Sequence, residues 1–148
     1  MSSLKILPDI YSVGTVDWDK RTFHGHTYAT KRGTTYNAYL ILDDKVTLVD
    51  TVYSRFTSEL IANIRQIIPV EKIDYVIANH IEIDHSGALP EVMRLCPKAK
   101  VFGTQKCKDG LYRHYYVNWD FQVVKTGDKL DLGKRTLTFI EAPMIHWP

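Results

Sequence analysis

The run Tyr75-Val76-Ile77-Ala78-Asn79-His80-Ile81-Glu82-Ile83-Asp84-His85 decides the reading of this chain. It begins with a β-forming apolar stretch and ends with two imidazoles and two carboxylates within six residues. That order describes a buried strand opening into a loop at its C-terminal end, where a turning backbone can aim several side chains at one point. His80, Glu82, Asp84 and His85 form a mixed nitrogen and oxygen donor set, which suits iron or manganese at least as well as zinc. The competing reading is a solvated charged loop, but acidic loops rarely carry two histidines at such offsets.

Working outward, the chain alternates strands with helices. Leu4 to Val13 reads as a short strand, and Thr35 to Leu42 as a longer one rich in β-formers. Asp43-Asp44-Lys45 then turns the chain into Val46–Val49 to make a hairpin. Ser54 or Thr57 can cap a helix running through Ile68, with Leu60, Ile61, Ile64, Ile67 and Ile68 on one face and Pro69 ending it. After the motif, Ser86 can cap a helix to about Leu95, Lys100–Gly103 reads as a strand, and Thr104 can cap Gln105–Tyr116. Phe121–Val124 and Arg135–Ile140 read as the arms of a terminal hairpin. A β-meander followed by β-α-β units predicts an α/β fold, a mixed sheet with helices on its outer face.

Composition narrows the function classes. With 148 residues, 45% of them hydrophobic and 24% charged, the chain reads as one globular domain or a piece of a larger protein. Its net charge of +2 comes from interspersed Lys and Arg, so charge points neither to nucleic acid nor to an anionic membrane. The two cysteines, Cys96 and Cys107, form no CxxC, and no long apolar span follows the polar start Met1-Ser2-Ser3. The expectation is a cytoplasmic protein with reduced thiols that act as small hydrophobes.

Asp50 after the hairpin strand, His80-x-Glu82-x-Asp84-His85 after the next buried strand, and His146 near the end of a later strand resemble the ligand order of the metallo-β-lactamase fold. Zinc hydrolases of that fold usually show H-x-H-x-D-H. Glu82 in place of the second histidine, within Asn79-His80-Ile81-Glu82-Ile83-Asp84-His85-Ser86-Gly87, is similar to the flavodiiron proteins. Gly33-Thr34-Thr35-Tyr36-Asn37-Ala38-Tyr39-Leu40 and Ala142-Pro143-Met144-Ile145-His146-Trp147-Pro148 resemble two further segments of that family.

The resemblance implies the N-terminal portion of a metallo-β-lactamase-like αββα sandwich carrying a diiron centre. It also implies a following flavodoxin-like domain with FMN, the two together reducing dioxygen to water or nitric oxide to nitrous oxide. Carried over by position, His80, Glu82 and His146 would hold one iron, and Asp84 and His85 the other. His26 would be a proton donor in the substrate pocket, and Trp147 a flavin contact across a dimer. The implied partners are a small diatomic substrate, an electron donor such as a rubredoxin or a reductase, and a second copy of the chain in a head-to-tail homodimer. The extra negative charge of Glu82 favours higher metal oxidation states and so fits redox chemistry better than hydrolysis. The alternatives are a dinuclear zinc hydrolase of the same fold, or a non-catalytic fragment.

The chain also departs from the family pattern. The bridging aspartate, a last histidine and the FMN domain would lie beyond Pro148, so residues 1–148 are expected to be a truncated diiron domain, inactive alone, with part of the sheet's apolar face uncovered. Asp50 is either a support for the metal loop or an ordinary turn residue. His24 shares the loop of His26 and is expected to be solvent-exposed, and His114, without an acidic partner at ligand spacing, is expected to be structural.

Overall fold

The computed structural model describes residues 3–23 and 27–142. His24, Gly25 and His26, and with them the proton-donor expectation for His26, fall outside those residues, as do His146 and Trp147.

In chain order the strands before the first helix are β1 (Leu4–Leu7), β2 (Ile10–Ser12), β3 (Thr15–Asp17), β4 (Thr22–Phe23), β5 (Tyr28–Ala29), β6 (Thr34–Tyr36), β7 (Tyr39–Ile41) and β8 (Thr47–Val49). Helix α1 (Thr57–Arg65), β9 (Tyr75–Ile77), α2 (Ile83–Ser86), α3 (Leu89–Leu95), β10 (Lys100–Gly103), α4 (Gln105–Tyr115), β11 (Phe121–Val123), β12 (Lys129–Asp131) and β13 (Thr136–Thr138) follow. Seven strands form one mixed sheet in the order β1-β2-β7-β8-β9-β10-β11. The meander β1-β2-β7-β8 is antiparallel, and β8, β9, β10 and β11 run parallel.

Each parallel step needs a crossover, and α1, α3 and α4 supply them in turn. A crossover of this kind is right-handed, so three steps in one direction put all three helices on one side of the sheet. Beneath them lies the main core: Leu40, Leu48, Val76 and Val101 stand in one cross-strand row, packed with Leu60, Ile64, Leu89, Val92 and Leu111 from the helices. The opposite face carries a smaller cluster of Ile77, Phe102 and Val124, joined by Val49, Tyr75, Leu130, Leu137 and Phe139. The β12–β13 hairpin thus covers part of the face expected to be bare, while Tyr39 on the same face remains exposed.

The structure corrects several expectations. Leu4 to Val13 is a hairpin, because Pro8 and Asp9 turn the chain with Asp9 in the left-handed region at φ 62°. The expected long strand breaks at Asn37-Ala38: β6 pairs with β3, and β7 pairs with β2 and β8. Helix α1 stops at Arg65, and the Thr57 hydroxyl donates to the Ser54 carbonyl instead of accepting a cap bond. Phe121–Val123 joins β10 in the main sheet, so the terminal hairpin is β12 with β13. Ser86 closes α2 instead of opening α3. The β7–β8 hairpin, strand β10 and the Thr104 cap, whose hydroxyl accepts from the Cys107 amide at 3.1 Å, stand as expected. Among the described residues no helix is long and apolar enough to cross a membrane.

Candidate metal centre

The parallel strands β8 and β9 end side by side, and the chemistry gathers at their C-terminal edges, the usual location of sites in parallel sheets. Asp50 follows β8 in the left-handed region at φ 56°, its amide bonded to the Ile77 carbonyl. This bend turns its carboxylate toward the segment leaving β9. Oδ1 accepts the Asn79 amide at 2.8 Å, and Oδ2 accepts the Asn79 side-chain amide at 3.3 Å and lies 3.4 Å from His85 Nδ1.

The motif is only half a loop. Glu82 is extended, with ψ at 149°, and α2 begins at Ile83, so Asp84 and His85 stand on a helical turn while His80 and Glu82 precede it. Thr51 holds the far end: its amide and hydroxyl both donate to the His85 carbonyl, at 2.9 and 2.5 Å. Gly87 lets the turn approach the chain after β8, since a Cβ there would lie 2.6 Å from the Ser54 nitrogen and 2.4 Å from the Ile83 carbonyl oxygen. The Gly87 position therefore excludes any side chain.

The four candidate ligands come together as two pairs. His80 Nε2 lies 3.2 Å from Glu82 Oε2, and His85 Nε2 lies 3.7 Å from Asp84 Oδ2. The rings of His80 and His85 sit edge-on at 5.2 Å between centroids. Neighbouring donors on one octahedral cation with bonds near 2.1 Å are separated by roughly 3 Å, so each pair has a spacing that one cation could bridge. Chemistry and spacing therefore fit a metal as two half-sites. Among the described residues no three such side chains converge on a single point, and His146, the third ligand expected for the first pair, lies outside them.

Electrostatics fit the same assignment. The His85 pKa is raised, first by the hydrogen bond with Asp50 and then, against the cost of burial, by the charges of Asp50, Asp84 and Glu82. A metal cation would take the place of that proton, because only neutral imidazole ligates. With Asp50 facing Nδ1, Nε2 is the nitrogen turned toward Asp84.

A cavity of about 470 Å³ opens beside Glu82 and Asp84, walled by Lys20, Phe23, Tyr36, Tyr53, Ile81 and His114. Pattern reading missed this wall. Tyr36 donates to the buried Asp17 at 3.1 Å, Asp17 also accepts the Asp19 and Lys20 amides at 3.1 Å, and Arg55 stands 3.9 Å away. Burial, and then the Asp17 hydrogen bond and charge, push the Tyr36 hydroxyl up to about 12, so it is a neutral hydrogen-bond donor at ordinary pH. A lone Asp in a polar segment gave no sign of burial; Tyr36, within the expected strand Thr35 to Leu42, was the one available signal. His114, whose ring meets Tyr115 edge-on at 4.6 Å, also reaches the cavity wall.

A layered α/β domain with histidine and carboxylate pairs at the ends of adjacent parallel strands is a metallo-β-lactamase-type domain. Residues 34–148 match the model of the ODP family of β-lactamase-type proteins, and the chain belongs to that family. It is 56% identical over 144 residues to a nitric oxide reductase of Moorella thermoacetica, covering 97% of this chain and 36% of that protein. The structure superposes on the rubredoxin oxygen:oxidoreductase of Desulfovibrio gigas with a TM-score of 0.95 at 44% identity, covering 99% of this chain and 37% of that one. The flavodiiron protein of Giardia intestinalis gives a TM-score of 0.93 at 37% identity, covering 100% of this chain and 36% of that one. These bear out the resemblance to flavodiiron proteins, and the chain spans little more than a third of the length of these relatives.

Proposed function

We propose that this chain is the diiron-binding part of an oxidoreductase that reduces dioxygen to water, nitric oxide to nitrous oxide, or both. The observation that carries the reading is Glu82: its carboxylate lies 3.2 Å from His80 Nε2, where the hydrolase pattern has a second imidazole. An anionic donor at that place stabilises the oxidised state of a redox metal, a gain that zinc, which does not change oxidation state, cannot use. The names of the similar proteins support the same choice.

In this reading His80, Glu82 and His146 would hold one iron, and Asp84 and His85 the other, with Asp50 orienting His85. Two such ions would supply the electrons for reducing a small diatomic molecule, with FMN on a flavodoxin-like domain as the proposed source of electrons. The chain's own residues do the rest. Tyr36 and Tyr53 wall the cavity beside Glu82; His26 would donate a proton, and Trp147 would contact a flavin carried by the second subunit of a head-to-tail dimer. A rubredoxin-type protein or a reductase is the proposed electron donor, and the cytoplasm the proposed compartment.

The test is anaerobic loading of the protein with ferrous iron, followed by metal quantification and by oxygen and nitric oxide uptake with a chemical reductant. About two irons per complete protein, with turnover, are expected. Glu82→His should shift retention toward zinc and abolish uptake while leaving the fold in place. Zinc retention by the unaltered protein, with hydrolytic turnover, would establish the hydrolase alternative instead.

A further inference from the structure

One buried hydroxyl reaches the backbone on both sides of Glu82. Ser86 is 2% exposed, and its Oγ lies 2.8 Å from the Ile81 carbonyl oxygen and 3.1 Å from that of Glu82. The first carbonyl belongs to the peptide entering the Glu82 Cα, the second to the peptide leaving it. The Glu82 carbonyl also accepts the His85 and Ser86 amides at 2.9 and 2.8 Å, so the turn itself holds that plane and the hydroxyl ties the Ile81 plane to it. With both planes held, φ and ψ at Glu82 are set, and with them the direction of its Cα–Cβ bond.

Ser86 Oγ also lies 2.9 Å from the hydroxyl of Tyr115, at the end of α4. A serine hydroxyl has one proton, and carbonyl oxygens only accept, so that proton goes to Ile81 and Glu82. The Tyr115 hydroxyl must then donate to Ser86. The same helix touches the turn a second time, since a Cβ at Gly110 would lie 2.5 Å from Ile81 Cδ1. Helix α4 is thereby coupled to the residues flanking Glu82 by a hydrogen-bond chain and by close packing.

We propose that Tyr115 and Ser86 are positioning residues that aim the Glu82 carboxylate at the metal through the hydrogen-bond chain Tyr115 O–H to Ser86 O–H to the Ile81 and Glu82 carbonyls. The inference rests on the metal reading given above, and it adds two residues that touch neither metal nor substrate. Tyr115→Phe keeps the ring against Trp119, 6.3 Å away, and removes only the hydroxyl.

The experiment measures cobalt(II) binding by titration and visible absorption in the purified protein, and amide exchange of His85, Ser86 and Gly87 in its metal-free form. Tyr115→Phe should weaken cobalt binding about tenfold, change the absorption bands and speed exchange of those amides. Combined with Glu82→Ala it should cost no further affinity, because the ligand it aims is gone. Unchanged affinity in Tyr115→Phe, or the same loss in the Glu82→Ala background, would overturn the proposal and leave the pair as packing. Ser86→Ala should behave like Tyr115→Phe with a larger loss, but Tyr115→Phe decides the matter if that variant does not fold. Failure of the unaltered protein to bind cobalt would sink the metal reading. Exchange would then decide alone, faster exchange in Tyr115→Phe supporting the chain's hold on the turn and unchanged exchange overturning it.

Discussion

The two faces of the central sheet are built in different ways, and connectivity explains the difference. On the helix side Leu40, Leu48, Val76 and Val101 are each no more than 1% exposed. In the adjacent row on the other side Ile77 and Phe102 are buried, but Tyr39 is 37% exposed and Gln122 faces solvent. Helices must join the parallel strands, so one face is covered by the chain's own route. The other is covered only where β12 and β13 return to it. The candidate ligand segment rises from β9, buried in the middle of this sheet, so its base is anchored by the stronger face.

The contrast can be broken by paired truncations. Leu48→Ala removes a fully buried side chain beneath the helices and should cost about 3 kcal/mol, read as a lower urea midpoint. Leu137→Ala, in the partly buried hairpin, should cost about 1 kcal/mol by the same measurement. Equal losses would show that the hairpin face carries as much of the stability as the helix face.

The same contrast explains what the sequence disclosed. Helix-side elements were legible because local signals specify them: the apolar spacing of α1, the β-run at β10, the Thr104 cap. The hairpin side was misread because Phe121–Val123 has a parallel partner twenty residues upstream in β10, a pairing that alternation cannot reveal. Ser86 was legible as a helix-terminal serine, but its hydroxyl bonds backward to Ile81 and Glu82, which ends one turn instead of opening the next. The side chains that meet beside β9, His80, Glu82, Asp84 and His85, could be named from the sequence. Their division into two pairs could not, because it depends on α2 beginning at Ile83, one residue after Glu82.

Acid should loosen the hairpin face first. Asp43 ties it to the sheet: its carboxylate accepts the Lys134 amide at 2.8 Å and faces Arg135, which also donates to the Pro8 carbonyl at 2.7 Å. The Lys134 hydrogen bond, aided by the Asp44 amide and Arg135 against some desolvation, holds the Asp43 pKa below its ordinary 3.8. A depressed carboxylate contributes stability that is present above the ordinary pKa and lost as pH falls through the folded one. Amide exchange across Lys129–Thr138 should therefore quicken below about pH 3.8 while that of β9 and β10 holds, and Asp43→Asn should remove the difference. Simultaneous loosening of both faces would erase the distinction at this end of the pH scale.

The smallest effect should come from the thiols, and its absence is the sharpest check on the helix face. Cys107 donates to the Ala78 carbonyl at 3.6 Å, at the base of the ligand segment, and Cys96 donates to Val92 at 2.9 Å within the end of α3. Burial, with a smaller contribution from the Asp50 charge, pushes the Cys107 thiol up to about 12, and burial with the Glu71 charge pushes Cys96 up to about 11. A raised thiol pKa contributes stability that is complete below the ordinary value near 9.0 and lost as pH climbs through the folded value, so the thiols' contribution should not change between pH 6 and 8. The thiolate is the reactive form, and it is scarce here and shielded from reagents. At pH 8 a disulfide-exchange reagent should label both cysteines no faster than the protein unfolds, and Leu48→Ala should raise that rate more than Leu137→Ala does. Labelling of Cys107 that outpaces unfolding would mean that the helix face opens locally beneath the candidate ligand segment, and the ranking of the two faces would have to be reversed at the one place where it bears on the candidate metal centre.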